Sequence, residues 1–331
     1  MDRISWKEKK HLNDRLLGIE DVEYICMQFD IGKLKYIHGH IKNTVNINIL
    51  TETEKGKYII KFSYIDEHQL INIVEAIKTL KENGIPALLP LQTINNQHYI
   101  KLKNYRIQVT PFIVGHSFNR NPKQMFSSGE VLKKMHDVLS DYDKIPVPRS
   151  SVYPSTEVLN KGITRLELIK HNFNKEKILL IYRLYDEIQK GWNDKEKELP
   201  HTVIHGDWHE RNQLFTKEGT VCCVFDFDYI QRKERLFDIA YALWNFLNRS
   251  QMKIFAEPFM QGYGLLEEQE IAALQLAIAR VSFFFLCTAS LNEKPINEMD
   301  RQLREQVPFL EYILSKDGQK RIGELCYAFK R

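Results

Sequence analysis

The sequence predicts an α+β protein with two domains, a small antiparallel sheet with one helix and a larger, mainly helical domain. Three observations support this fold class. The chain has 331 residues, of which 43% are hydrophobic, so each of two domains can bury a core. Short β-branched and aromatic runs, typical of strands, recur up to residue 110. After Gly115, apolar residues recur with the helical period. We therefore place the domains at residues 1–112 and 113–331.

Five strands and one amphipathic helix are predicted in the first domain. Polar turns separate the candidate strands, which lie at 34–38, 45–50, 57–63, 98–102 and 106–110. Between the third and fourth of them, residues 67–83 place apolar side chains at helical spacing, and Gly84 and Pro86 follow where the helix would end. Because most of these strands are joined by short turns, we expect an antiparallel sheet.

Six helices and three short strands are predicted in the second domain. The helices are expected at 130–139, 156–171, 176–192, 236–247, 267–291 and 299–314. The strands lie close together in sequence, at 203–205, 213–215 and 221–225. This domain is therefore mainly helical, with one small β element in its middle.

Composition argues against several classes of protein. Lys+Arg 47 against Asp+Glu 43 gives a net charge of +4, which is too weak for a nucleic-acid binder. The five cysteines contain no C-x-x-C pattern, which favours reduced thiols in a cytoplasm over a disulfide scaffold or a zinc ribbon. Residues 271–291 are largely apolar, but Arg280 near their middle would be costly in a bilayer. We expect a buried helix there, and neither a membrane nor a nucleic acid as a partner.

A polar loop between two apolar runs carries the candidate catalytic groups. It extends from His205 to Asn212 and brings His, Asp, Glu, Arg and Asn side chains together. A loop held between buried strands is a common place for catalytic residues. Asp226 and Asp228 follow the next apolar strand. Because Mg²⁺ prefers carboxylate and amide oxygens, Asn212, Asp226 and Asp228 are candidate metal ligands.

The order of these polar residues carries a resemblance to a known family. His205-Gly206-Asp207 with Asn212, followed by Asp226-Phe227-Asp228, looks like the catalytic core of the aminoglycoside phosphotransferase and choline kinase group. Lys61 lies where that group has a phosphate-pairing lysine, and Asp238 where it has an aspartate that braces the catalytic loop. The similarity extends over residues 34–244 and implies a bilobal, protein-kinase-like fold.

The resemblance implies that four side chains meet at a magnesium-bound nucleotide in a cleft between two lobes. Asp207 would accept the proton of a substrate hydroxyl as that hydroxyl attacks the γ-phosphate. Asn212 and Asp226 would bind Mg²⁺, and Asp228 is either a second ligand or a solvated neighbour. Lys61 would pair the α- and β-phosphates. ATP is the expected co-substrate, with GTP as the alternative.

The resemblance also implies four further residues of the nucleotide-binding site in the first domain. They are Glu75, Asn43, Thr110 and Phe112. Glu75, or alternatively Glu67, would hold Lys61 in place. Thr110 and Phe112 belong to a segment that resembles the hinge against which the adenine lies. Asn43 lies in the turn expected to cover the phosphates, residues 39–44, although the sequence has no G-x-G-x-x-G pattern.

Departures from the protein-kinase pattern favour a small-molecule acceptor. Gly206 replaces the arginine of His-Arg-Asp, and His209 stands where Ser/Thr kinases have a lysine. The candidate acceptors are an amino alcohol, homoserine, a sugar or an aminoglycoside, and the sequence does not rank them. It does not indicate an oligomeric state either.

Two other functions stay open at this point. His201, His205, Asp207 and His209 could ligate zinc in a metal-dependent hydrolase, but Asn212 would then have no role. The second alternative is a kinase homologue that binds nucleotide without turnover. Nothing in the sequence argues for lost catalysis, since all the expected polar groups are present.

Overall fold

A computed structural model describes residues 18–40, 46–144, 148, 151–193, 195–292 and 295–328. The chain divides into two units, residues 1–115 and residues 116–331, called unit 1 and unit 2 below. The predicted nucleotide contact Asn43 lies outside the described residues. The α+β class, with an antiparallel sheet in the first part and a larger helical second part, is confirmed.

Unit 1 contains a five-stranded antiparallel sheet and, within the residues described, two α-helices. The strands pair in the order β1-β2-β3-β5-β4. Their bounds are β1 Leu34–His40, β2 Ile47–Thr53, β3 Gly56–Ser63, β4 Ile100–Leu102 and β5 Tyr105–Pro111. The helices are α1 Ile19–Gln28 and α2 Glu67–Glu82. All five predicted strands are present, with ends shifted by up to three residues.

The register of the central strand β3 decides which face of the sheet carries Lys61. Lys61 pairs with Asn48 of β2 on one side and with Gln108 of β5 on the other. Its chain neighbours Ile60 and Phe62 are buried in the core of unit 1. Because successive side chains of a strand alternate between faces, the half-buried Lys61 lies on the face opposite that core.

Helix α1 is a difference from the prediction of a single helix in this part of the chain. Val22, Ile25 and Cys26 are buried and belong to the same core as the sheet residues. With Phe29 they have the i, i+3, i+4, i+7 spacing of an amphipathic helix, so the pattern was present in the sequence. The helix forms because the sheet has an apolar face that must be covered.

Unit 2 contains eight α-helices and two two-stranded antiparallel sheets within the described residues. The helices are α3 Pro122–Val138, α4 Thr156–Ile169, α5 Lys175–Asn193, α6 Leu236–Leu247, α7 Ala256–Tyr263, α8 Glu268–Leu291, α9 Pro295–Ile313 and α10 Lys316–Cys326. The strands are β6 His201–Ile204, β7 Gln213–Phe215, β8 Val221–Val224 and β9 Gln231–Glu234. The pairs are β6 with β9 and β7 with β8. The six predicted helices and three predicted strands are confirmed, although α3 begins eight residues before its predicted start at residue 130, whereas α7, α10 and β9 were not predicted.

Helix α8 is long and apolar enough to cross a membrane, yet 67% of its apolar 18-residue stretch is buried inside the protein. Arg280, near its middle, is 1% exposed. Its guanidinium donates to Gln189 Oε1 at 2.9 Å and to the carbonyl oxygen of Pro154 at 2.6 Å. The guanidinium carbon also lies 4.6 Å from the ring centroid of Trp192. Protein groups therefore satisfy the buried charge, as the predicted buried helix requires.

Candidate active site

The loop that carries Asp207 begins where β6 ends. Ile204, the last residue of β6, pairs with Gln231 of β9. Gly206 follows with a φ of +82°, and a Cβ atom there would lie 2.4 Å from the carbonyl oxygen of Tyr229. Only glycine fits both this backbone conformation and this close approach. The tight turn leads the chain from the end of β6 into the loop that carries Asp207.

Asp238, at 0% exposure in α6, holds the start of this loop. Its Oδ2 accepts the backbone N–H of His205 at 2.7 Å, and its Oδ1 accepts that of Gly206 at 2.9 Å. His136 Nε2 lies 3.1 Å from the same Oδ2, and His136 Nδ1 lies 3.0 Å from the hydroxyl of Tyr263. A proton on His136 Nε2 would be donated to Asp238. The contacts of Asp238 agree with the bracing role that the resemblance implies.

Asn212 orients Asp207. Its Nδ2 donates to Asp207 Oδ2 and to the backbone oxygen of Asp207, both at 3.0 Å. The amide nitrogen is thereby committed to Asp207, so the amide oxygen is the atom of Asn212 that can bind a cation. Asp207 and Asn212, five residues apart in sequence, are therefore brought together.

The electrostatic surroundings of Asp207 keep it ionised. Its side chain is 16% exposed, and burial alone would raise its pKa. Hydrogen bonds from His209 and Tyr241 outweigh that effect and lower the pKa of Asp207 to about 2. At neutral pH Asp207 is therefore a carboxylate that can accept a proton.

Asp226 follows β8 in a left-handed backbone conformation, with φ +67° and ψ +58°. Such a conformation is uncommon for a residue other than glycine, although Asp and Asn adopt it more readily than other residues. The preceding residue, Phe225, donates its N–H to the backbone oxygen of Asn212 at 3.1 Å, which ties this segment to the catalytic loop. Asp228 is half-buried in the short turn that follows.

His205 lies among three carboxylates. Burial lowers its pKa, and the charges of Asp238, Asp207 and Asp226 act in the opposite direction. The sequence-predicted residues Asp207, Asn212 and Asp226 therefore lie in one neighbourhood of unit 2. Asn212 and Asp226 offer hard oxygen atoms from an amide and a carboxylate. That set fits Mg²⁺, which is commonly bound through one or two carboxylates while it keeps several waters.

The described residues of this loop do not form the zinc site that the metal-dependent hydrolase alternative requires. His205 has 0% exposure, its Nδ1 accepts the N–H of Asp207 at 3.3 Å, and its Nε2 lies 3.2 Å from the oxygen of Phe225. His201 Nδ1 lies 2.9 Å from the oxygen of Leu199. Among the residues that the structure describes, no three His, Cys, Asp or Glu side chains are grouped so that they could hold a metal. A zinc site of the kind predicted is therefore missing from this loop.

Two acidic residues of α2 were predicted as partners of Lys61. The Glu75 carboxylate is exposed and pairs with Lys78 Nζ at 2.6 Å, three residues further along the helix. Glu67 accepts the hydroxyl of Tyr99 and lies 3.7 Å from Arg106. The pairing of Glu75 with Lys61 stays a prediction.

The predicted adenine contacts lie at the end of β5. Thr110 is half-buried and pairs with Ile59 of β3. Phe112 is 43% exposed, and its N–H donates to the oxygen of Lys57 at 2.9 Å. The backbone of this segment is therefore held by β3, and its contact with a nucleotide stays a prediction.

Tyr241 is a residue of the site that the sequence analysis missed. It lies in α6, three residues after Asp238, so a helix brings both to one face. This spacing is the signal that could have identified it. A second missed group is Glu210, which is 6% exposed and bound to Arg249 at 3.1 Å and to Asn245 at 2.6 Å.

Comparison with known proteins agrees with this geometry. The family model described as "Phosphotransferase enzyme family" (APH) matches residues 42–276. A homoserine kinase of Phenylobacterium zucineum is 25% identical over 279 residues, which cover 81% of this chain and 83% of the relative. A homoserine kinase of Methylobacillus flagellatus is 23% identical over 234 residues, which cover 69% of this chain and 68% of the relative.

Solved structures show the same protein-kinase-like fold. A microcompartment-associated aminopropanol kinase aligns with a TM-score of 0.72 at 13% identity and covers 91% of this chain and 99% of its own. The amicoumacin kinase hAmiN, in complex with AMP-PNP, Ca²⁺ and Ami, has a TM-score of 0.65 at 14% identity. The alignment covers 87% of this chain and 92% of the hAmiN chain. The family match spans well over half of the chain and includes the whole catalytic loop. The chain therefore belongs to the phosphotransferase enzyme family and is a small-molecule kinase with a hydroxyl acceptor.

Proposed function

We propose that this kinase transfers the γ-phosphate of ATP to a small-molecule hydroxyl, with Asp207 as the base and with Mg²⁺ held by Asn212 and Asp226. The observation that carries the proposal is the state of Asp207, which is largely buried, ionised and oriented by Asn212 Nδ2 at 3.0 Å. Asp228 is the candidate for a second carboxylate ligand.

The carboxylate of Asp207 would orient the acceptor hydroxyl and receive its proton. A group with a pKa of about 2 holds a proton weakly, so it accepts the proton late, when the bond from oxygen to phosphorus is well formed. Phosphoryl transfer has a loose transition state in which positioning and charge stabilisation dominate. A weakly basic but well-oriented carboxylate suits that reaction.

The nucleotide contacts are proposed from the resemblance and from the oxygen ligands present. When bound, Mg²⁺ would neutralise negative charge on the phosphate oxygens. The amide oxygen of Asn212 and the carboxylate of Asp226 would hold it. Four groups of unit 1 would contact the nucleotide: Lys61 at the phosphates, Asn43 in the covering turn, and Thr110 and Phe112 at the adenine. Glu75 is retained as the proposed support of Lys61.

For the acceptor, we propose a hydroxy amino acid of the homoserine type. Two relatives that cover at least two thirds of both chains are named homoserine kinases. The charge on the loop also favours an acceptor with a carboxylate. Glu210 is buried and neutralised by Arg249, whereas the exposed Arg211 offers a positive charge beside the site. The charge of Arg211 would repel an aminoglycoside, which is a polycation.

The test is an ADP-release assay with Mg-ATP or Mg-GTP and a panel of homoserine, 1-amino-2-propanol, ethanolamine and spectinomycin. Mass spectrometry of the product identifies the phosphorylated acceptor. We expect turnover with homoserine, and Asp207→Asn should lower kcat by about 10²–10⁴-fold because only the base is changed. A thermal shift by Mg-ATP should persist in Asp207→Asn. The matched control Asp186→Asn, at an exposed position of α5, should keep the parental rate.

Two results would overturn the proposal. An Asp207→Asn variant with the parental kcat would show that Asp207 is not the base. Mg-ATP binding without phosphate transfer to any member of a broad panel of alcohols would favour the non-catalytic homologue.

A further inference from the structure

We infer that His209 is a positioning residue that fixes the orientation of the catalytic carboxylate of Asp207. The inference rests on the proposed role of Asp207 as base and adds a residue to it. His209 follows Asp207 by two positions and is 9% exposed. Its ring contacts three groups, each of which restricts it in a different way.

The first contact determines which ring nitrogen carries the proton. His209 caps the short turn Glu210–Asn212, and its Nδ1 accepts the backbone N–H of Arg211 at 3.1 Å. A backbone N–H can only donate, so Nδ1 is unprotonated in this arrangement. The proton of the neutral imidazole is therefore on Nε2, at the opposite side of the ring.

The second contact is with the base itself. His209 Nε2 lies 3.4 Å from Asp207 Oδ2, the oxygen that also accepts from Asn212 Nδ2. Both side chains are shielded, with exposures of 10% and 16%, so water screens their interaction only weakly. At 3.4 Å the contact is longer than a charge-assisted hydrogen bond of about 2.7–2.9 Å, so it acts chiefly as an electrostatic attraction between the ring N–H and the ionised carboxylate.

The third contact limits rotation of the ring. Tyr241 of α6 stacks with His209, with ring centroids 6.4 Å apart and an interplanar angle of 29°. The backbone oxygen of His209 also accepts from Gln213 Nε2 at 3.2 Å. The ring and the backbone of His209 are thus both held, so Nε2–H stays directed at Asp207.

The consequence for catalysis follows from the capacity of a carboxylate. Its two oxygens offer about four lone-pair positions. Asn212 Nδ2 and His209 Nε2 both approach one oxygen, Oδ2, so lone-pair positions of the carboxylate stay open for the hydroxyl of the acceptor. His209 therefore acts with Asn212 to fix the orientation in which Asp207 receives the hydroxyl.

His209→Asn tests this role because asparagine preserves one function of His209 and removes the other. Asparagine is a good N-cap and can still accept the N–H of Arg211, but it has no second ring nitrogen to contact Asp207. We expect kcat to fall about tenfold while the KM values for Mg-ATP and acceptor stay within about twofold, since an oriented base matters mainly in the transition state. The exposed His171→Asn is the matched control and should keep the parental kcat.

A double-mutant comparison separates positioning from a merely structural role. If His209 acts through Asp207, His209→Asn should lower kcat in the parent but have no further effect in Asp207→Asn. Equal fold-losses in both backgrounds, or an unchanged kcat in the single variant, would overturn the inference.

A second measurement does not depend on activity, so it distinguishes failure of this inference from failure of the proposed function. Urea unfolding midpoints are compared for the parent, His209→Asn, Asp207→Ala and the double variant. We expect the midpoint shift caused by His209→Asn to shrink when Asp207 is absent, whether or not an acceptor is found. An identical shift in both backgrounds would show that the two side chains are not coupled, and the inference would be wrong.

Discussion

Asp238 accepts the backbone N–H of Gly206 at 2.9 Å and thereby connects helix α6 to the first residues of the catalytic loop. The same carboxylate accepts the N–H of His205 at 2.7 Å and contacts His136. One buried anion thus satisfies two backbone donors that have left the β6 ladder. Because a buried N–H without a partner costs about 1–3 kcal/mol, the loop conformation depends on Asp238.

Asp238→Asn should therefore destabilise unit 2. An amide has a single acceptor oxygen, and its NH₂ group faces a backbone donor where the second carboxylate oxygen was, so one N–H loses its partner. We expect the free energy of unfolding to fall by about 1–3 kcal/mol, measured by urea unfolding. Asp300→Asn is the control, because Asp300 is exposed and pairs with Arg304 on the surface of α9. It should change stability by less than about 0.5 kcal/mol, and an equal loss in both variants would contradict the bracing role.

Gly206→Ala should be more damaging still, although it adds one methyl group. The new Cβ would lie 2.4 Å from the backbone oxygen of Tyr229, and alanine disfavours a φ of +82°. The backbone strain and the overpacking together should cost about 2–4 kcal/mol in the free energy of unfolding. The matched control Gly323→Ala, in the interior of α10, meets nothing within 4 Å and should stabilise by about 0.5–1 kcal/mol. Two shifts of the same sign in thermal or urea unfolding would contradict this account.

Local sequence patterns predicted most of the fold. Helix α6 was predicted with its observed bounds because its apolar residues continue to the end of the helix. The short helix α1 was missed although Val22, Ile25 and Cys26 mark its buried face. Strand β9 has the sequence Gln-Arg-Lys-Glu, which has no strand pattern of its own. It is a strand because β6 pairs with it, and a pairing between distant segments cannot be predicted from local periodicity.

The same distinction applies to the site. Asp207 and Asn212 were predicted together because five residues separate them and a tight loop connects them. The contact between His136 and Asp238 joins residues 102 positions apart, so it depends on how α3 packs relative to α6. Tyr241 reaches Asp207 for a similar reason, since α6 must first pack against the loop. The sequence was enough to predict which residues form the core of the site, whereas contacts between distant segments required the tertiary structure.

The pH dependence of stability should report on a buried pair beside the catalytic strand. Glu234 of β9 accepts the hydroxyl of Tyr153, with Oε1 at 2.8 Å and Oε2 at 2.6 Å. Burial raises the pKa of Glu234 above its ordinary value of 4.5, and the bond from Tyr153 only partly opposes this. A raised pKa means that the folded state favours the protonated form. The stabilisation is therefore complete below pH 4.5 and is lost as the pH rises through the raised pKa.

Glu234→Gln is neutral at every pH and can still accept from Tyr153, so it should not show this loss. We expect the variant to gain stability relative to the parent as the pH rises above 4.5, by about 1.4 kcal/mol for each pKa unit of the shift. The measurement is urea unfolding of both proteins at a series of pH values from 4 to 8. Parallel curves would show that Glu234 titrates alike in the folded and unfolded states, contrary to this prediction.

Asp226→Asn should separate the charge of Asp226 from its backbone conformation. Asparagine tolerates the left-handed conformation at φ +67°, so the loop should keep its shape while the anionic ligand is lost. We expect the Kd for Mg-ATP to rise roughly tenfold or more, because Mg²⁺ is bound largely by charged oxygen ligands. The Kd for ATP in EDTA should not rise, and calorimetric titrations with and without Mg²⁺ measure the two values.

Asp228→Asn, tested in parallel, decides whether Asp228 is a second ligand, since a solvated neighbour would leave the Mg-ATP Kd unchanged. If Asp226→Asn bound Mg-ATP as tightly as the parent, the metal would have to be held by other groups and the proposed ligand set would be wrong.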